Sequence, residues 1–157
     1  MKNFKGMGNI MDRNEKKLLY VIGIDPGTKT GVAVYDKLCK RMTAVSTLKI
    51  HEAFSFVQEI NVKSKQDGGK IFVRVEDARK RKRYGFNSNA KMQGAGAIKI
   101  QCKQWEEFLK GEGISFDLVA PNQIKTKVDA ARFKVITGWD ARTSNHGRDA
   151  GMLVYGL

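Results

Sequence analysis

Cysteine is nearly absent. Cys39 and Cys102 are the only two in 157 residues, too few for a disulfide framework and matching no metal-binding spacing. Their simplest reading is a pair of reduced thiols in an intracellular, cytoplasmic protein. Long apolar runs are missing too: none approaches the ~20 residues that span a bilayer, and no signal-peptide pattern opens the chain. No long amphipathic stretch with a Trp/Phe/Leu face offers itself to a membrane surface. No repeat or linker divides the chain. Acidic residues are in short supply, with 16 Asp plus Glu against 29 Lys plus Arg, a net charge of +13.

What is present suits one compact domain, since a chain near this length buries roughly two-thirds of its unfolded surface without staples. The positive excess repels itself on folding, and a polyanion offsets it. Nucleic acid is the leading partner, because each phosphate contact also releases counterions; the plainer alternative is a basic protein without such a partner.

Residues 1–17 are polar and without periodicity, and they read as a disordered leader in which Met7 and Met11 are alternative starts. The domain is expected over 18–157. LLYVIGID is a near-continuous apolar run ending in an acid, the pattern of a buried central strand. PGTKT is a turn around Pro26 and Gly27; GVAVYD and MTAVSTLKI follow as two further strands of an antiparallel meander. His51 to about Val62 carries Phe54, Val57 and Ile60 at helical spacing, and KIFVRVED is a fourth strand, again closed by acids. After a basic loop at 78–86, Asn87 or Ser88 caps a long helix to about Lys110. Its stripe runs through Gly94, Ala97, Ile98, Cys102, Trp105, Phe108 and Leu109. A short fifth strand spans Ile114 to Ala120. Pro121 opens a helix, Asp129 caps another that ends at Gly138, and Ser144 or Asn145 caps a last one to about Tyr155. The order predicts an α/β fold: a mixed five-stranded sheet, three antiparallel strands and then two parallel, with helices on both faces.

Asp25 and Glu76 end two apolar strands. Ligands gather beyond the carboxyl ends of such strands, so the two carboxylates converge if strands one and four are neighbours. Paired hard oxygen donors suit Mg²⁺ or Mn²⁺. His146 and Asp149, three apart near the C-terminus, share one helix face and complete a candidate site. Its chemistry would be attack of water on a phosphodiester, with two metals roughly 3.5–4 Å apart. Taken singly, each residue has a duller role: an acid can simply end a strand, a His can sit on the surface, and Asp149 can favour a helix dipole.

The segments GIDPGTKTGVAV, FVRVED and HGRDAGML resemble, in order, the three acidic motifs of RuvC-like Holliday junction resolvases, within the ribonuclease H-like superfamily. The similarity runs from about Leu18 to the end. It implies a ribonuclease H-like fold, metal ligation by Asp25, Glu76, His146 and Asp149, and a structure-selective endonuclease of branched DNA, whether four-way junctions, flaps or Y-forks. The central region is shorter and more basic than in bacterial resolvases, so the phage-type branch is nearer. PNQIKTKV resembles the stretch carrying the family's catalytic lysine, which falls on Lys125; Arg132 lies near a second basic position. The alternatives for Lys125 are a DNA-backbone contact or a solvated residue. A GIDPGT-like turn also occurs in YqgF-like nucleases acting on RNA and in actin-hexokinase ATPases, though the latter need two domains.

The basic loop places Arg79, Lys80, Arg81, Lys82 and Arg83 just after Glu76, with Tyr84 and Phe86 following. Cations hold phosphates, and a ring stacks on an unpaired base for roughly 1–3 kcal/mol. Within the resembled family an aromatic of this loop enters the junction centre, so either ring is a candidate. Gly94 and Gly96 mark a helix approached by another backbone, either the sheet beneath or a second copy; the resemblance favours a homodimer. Two further functions stay open: a non-catalytic branched-DNA-binding module and a YqgF-like nuclease acting on RNA.

Overall fold

Alternation along the strands sets the layers. In the computed structural model, which describes residues 15–81, 89–124 and 127–157 and only the backbone of 89–93, β1 (Lys17–Asp25) is the middle strand of five. Its apolar residues serve both faces, as a strand buried on two sides requires. β2 (Thr30–Asp36) and β3 (Arg41–Leu48) continue from it as an antiparallel meander, while β4 (Gly69–Glu76) and β5 (Ser115–Val119) add in parallel on its other side, giving the order β3-β2-β1-β4-β5. This is the α/β fold and the mixed sheet that the chain's texture predicts, and it is consistent with a ribonuclease H-like fold.

One face carries Ile22, Ile24, Val32, Val34, Ile71, Val73 and Val75. Against it pack α1 (Ile50–Gln66), through Ala53 and Val57, and α2 (Asn89–Gly111), through Trp105 and Leu109. Phe54, Trp105 and Phe108 meet there with centroids 4.4 to 5.7 Å apart, and such contacts add to plain burial. The opposite face is covered by α4 (Asn145–Val154), whose Ala150, Leu153 and Val154 meet Val21, Ala33 and Tyr35. α3 (Ala130–Thr137) buries Phe133 against Gly151 of α4. Its two ends match the sequence: the Asp129 carboxylate accepts from the Arg132 amide at 2.8 Å, and Gly138 closes it in the left-handed region at φ 72°.

The glycines Gly23 and Gly31 decide how closely α4 can approach. They share a face with Asp25, Gly23 two residues before it on β1 and Gly31 directly opposite it on β2, and α4 lies almost on their backbone. A Cβ on Gly23 would stand 2.1 Å from the Ala150 carbonyl oxygen, and one on Gly31 2.0 Å from that of His146. Glycine inside a strand often signals such an approach.

Three local expectations differ from the structure. α1 continues past Val62 to Gln66, taking in residues read as a polar loop. Pro121 opens only a single 3₁₀ turn, Pro121–Gln123, because Ile124 returns to extended backbone. The stripe of α2 is narrower than its apolar spacing predicts: Cys102, Trp105 and Leu109 are buried, but Gly94, Gly96 and Ala97 are exposed. Nothing among the described residues lies within 4 Å of a Cβ on Gly94 or Gly96, so the sheet is not their neighbour. Gly96→Ala is therefore expected to stabilise an isolated protomer by about 0.5–1 kcal/mol, as helix propensity dictates. A thermal melt checks this; a lower midpoint would mean that something packs there.

Candidate metal-dependent active site

β1 and β4 run parallel with Ile24 opposite Val75, so their last residues, Asp25 and Glu76, emerge side by side. Both fall on the α4 face of the sheet by the two-residue period. α4 enters with its N-terminus over this edge. Ser144 caps it by accepting from the Gly147 amide at 3.0 Å, and the Thr47 hydroxyl on β3 bonds Ser144 in turn. The helix thereby delivers His146, whose Nδ1 lies 2.8 Å from Asp25 Oδ2, and Asp149 one turn on.

The four side chains act on one another electrostatically. Burial raises the pKa of Asp25 above the carboxylate norm, opposed by the His146 ring and reinforced by the Asp149 charge. Glu76 is pushed up from 4.5 to about 7, by burial first and then by the charges of Asp25 and Asp149, with Lys127 opposing. The contact with the Asp25 carboxyl favours the protonated form of Glu76 over the charged one. Three carboxyls converging in one place ionise together only with a cation among them. Oxygen donors with one imidazole fit a hard or borderline divalent ion. No group of three or more His, Cys, Asp or Glu among the described residues stands as a ready metal cluster.

A pH dependence follows. Because Glu76 titrates higher in the fold than in the unfolded chain, its stabilising share is complete below about pH 4.5 and is lost as pH rises through about 7. Asp25 acts in the same direction. In chelator, urea unfolding at about pH 5 and about pH 8 is expected to show the wild type weaker at the higher pH, with Glu76→Gln flattening the difference. Parallel pH profiles for the two proteins would count against the protonated Glu76.

The cations distribute unevenly. Arg79 is committed within the fold: its Nε lies 2.8 Å from Asp77 Oδ1, and a terminal nitrogen lies 2.8 Å from Glu106. Burial alone would raise Asp77, but hydrogen bonds from Arg79 hold it below the usual range. This network roots the basic loop between β4 and α2. Lys80 donates to the Leu118 carbonyl at 2.6 Å, Arg81 is exposed after the 3₁₀ turn Ala78–Lys80, and Arg132 is exposed on α3. Lys82, Arg83, Tyr84, Phe86 and Lys125 lie outside the described residues.

Two residues escape a reading of the sequence. Lys127 places its Nζ 3.6 Å from Asp149 Oδ2, and it sits in a coil whose position only the fold determines. Arg148 is buried between His146 and Asp149 in the chain; a charged residue that is 9% exposed has no sequence signal beyond its place inside HGRD. No helix among the described residues is long and apolar enough to cross a membrane. No protein-family model matches the chain, and no curated protein sequence matches it.

Proposed function

We propose that this protein is a metal-dependent endonuclease of branched DNA, of the RuvC-like Holliday junction resolvase type, working as a homodimer. The observation that carries the reading is the convergence of Asp25, Glu76, His146 and Asp149, from two strands and a helix, at the carboxyl edge of the sheet of a protein with net charge +13. Asp25, Glu76 and Asp149, with His146, would hold Mg²⁺ or Mn²⁺. Ions bound there supply water activation and charge stabilisation on the leaving oxygen. Glu76 must release its proton to serve as a ligand, so metal affinity rises with pH. His146 orients the Asp25 carboxylate through their 2.8 Å contact. Lys125 is the proposed transition-state cation, and the cations and rings from Arg79 to Phe86 the proposed junction contacts.

The open face of α2 supports the dimer: Gly96 and Ala97 are exposed beside Ile100, which is 62% exposed. Two sites related by a two-fold axis suit paired nicks across a four-way junction. The net charge of +13 would serve a second reading equally, a non-catalytic branched-DNA-binding module.

The test is cleavage of four-way, three-way and linear duplex DNA, and of a matched RNA junction, with Mn²⁺ or with chelator. Metal-dependent nicks confined to branched DNA are expected. Tight junction binding without any cutting would support the second reading, and preference for the RNA substrate would move the activity to the YqgF-like class.

A further inference from the structure

Arg148 is a buried cation that no acid pairs among the described residues. Its Nε donates to the Val128 carbonyl at 3.0 Å, and one terminal nitrogen to Thr143 O at 3.0 Å and Thr143 Oγ1 at 3.1 Å. The other terminal nitrogen donates to the Asn145 side-chain oxygen. Among the described residues, all its hydrogen-bond partners are neutral oxygens. Burying a guanidinium without a carboxylate is costly, and its fork of donors is spent on joining separate parts of the chain. One of those parts is the coil 127–129, which has no regular structure of its own. Among the described residues, the Arg148–Val128 bond ties its backbone to α4, and the Lys127–Asp149 ion pair joins a side chain to the same helix.

The residue beside that tie is Lys127. Its side chain is 88% exposed, yet its Nζ reaches within 3.6 Å of Asp149 Oδ2. A flexible four-carbon stem points to many places unless its backbone is held. Arg148 itself lies on α4 between the two residues, His146 and Asp149, that face the pocket. One helix thus carries His146 and Asp149 and, through Arg148, the strap for the cation beside them.

We propose that Arg148 is a positioning residue, fastening the coil 127–129 to α4 so that the Lys127 ammonium stays at the mouth of the Asp25–Glu76–Asp149 pocket. This rests on the nuclease reading, in which that ammonium meets a phosphate of the strand being cut. Lys127, not only Lys125, then contributes positive charge at the reacting phosphate.

The test compares wild type, Arg148→Gln, Lys127→Gln and the double variant in single-turnover cleavage of saturating four-way junction with Mn²⁺. Each single change is expected to slow cutting about 10-fold, with junction Kd altered less than about 3-fold. The double variant should be no slower than Lys127→Gln alone, because residues acting through one another are not additive. Losses that multiply in the double variant would overturn the proposal. Lys127→Arg should keep most of the rate; Arg148→Lys, which lacks the fork, should not.

A second readout needs no cleavage activity. Trypsin cutting after Lys127 is compared with cutting after Lys103, inside α2. Arg148→Gln should speed the first about 10-fold and leave the second unchanged. Equal acceleration at both sites, or at neither, overturns the tie. A wild type that folds but cuts no branched DNA would sink the nuclease reading, and the trypsin ratio would then decide alone whether Arg148 holds the coil.

Discussion

Asp25→Asn is expected to reduce metal-dependent nicking of a four-way junction by at least about 10³-fold, while junction binding stays within about 3-fold of wild type. Under the proposed function, the two outcomes separate because they rest on different residues. Cutting needs the carboxylate at the end of β1, the most enclosed of the three acids, with its 9% exposure. Binding draws on the positive excess, which the substitution increases by one. The variant should also fold at least as well as wild type. An amide keeps the 2.8 Å contact with His146, and the buried charge that burial disfavours is gone. Denaturing gels for nicks, mobility shifts for binding and a thermal melt read all three. Full nicking in Asp25→Asn would remove this residue from the mechanism. Loss of binding and stability together would instead make Asp25 a structural group.

A gain in stability on removing a functional acid would be physically consistent with this fold. Asp25 and Glu76 sit where desolvation and each other's charge oppose ionisation. Sites that hold metal, or tune proton affinity, accept that kind of local cost. The raised pKa of Glu76 belongs to the same tension.

The strands were legible because each is short, apolar and closed by a turn or an acid; the observed bounds of β1 to β5 fall within two residues of those read from pattern alone. Helix ends were legible where the caps are local: Asp129, Gly138 and Ser144 each act within four residues of themselves. The pairing of β1 with β4 was the step on which the acids depended, and right-handed crossover rules made it the natural arrangement. Lys127 and Arg148 were not legible, since a coil's position and a guanidinium's burial are decided by contacts distant in the chain. The stripe of α2 misled for a related reason. Small residues at helical spacing look like a packing face, but Gly94 and Gly96 meet nothing within 4 Å, while the close approaches fall on Gly23 and Gly31 in strands. Their signal, glycine inside an otherwise bulky apolar run, was present in LLYVIGID.

Gly31→Ala tests that geometry and should be the most disruptive glycine-to-alanine change among the described residues. The added Cβ would lie 2.0 Å from the His146 carbonyl oxygen and 2.4 Å from its carbon. Neither atom can swing aside as a side-chain end would, because both belong to the first turn of α4. Either β2 bows or α4 lifts. Overpacking of this kind costs about 3 kcal/mol or more, which for a protein of this size lowers the melting midpoint by about 10 °C. A lifted α4 also carries His146 away from Asp25, and misplacement by about 1 Å can cost about 10²-fold in rate. Activity per folded molecule, measured well below the melting midpoint, is therefore expected to fall about 10²-fold. Gly111→Ala is the matched control, with the same added methyl at the end of α2 where it meets nothing within 4 Å among the described residues. If Gly31→Ala were as stable as wild type, α4 would not rest on the β2 backbone there. If it were unstable yet fully active once folded, the position of His146 would not matter to the chemistry.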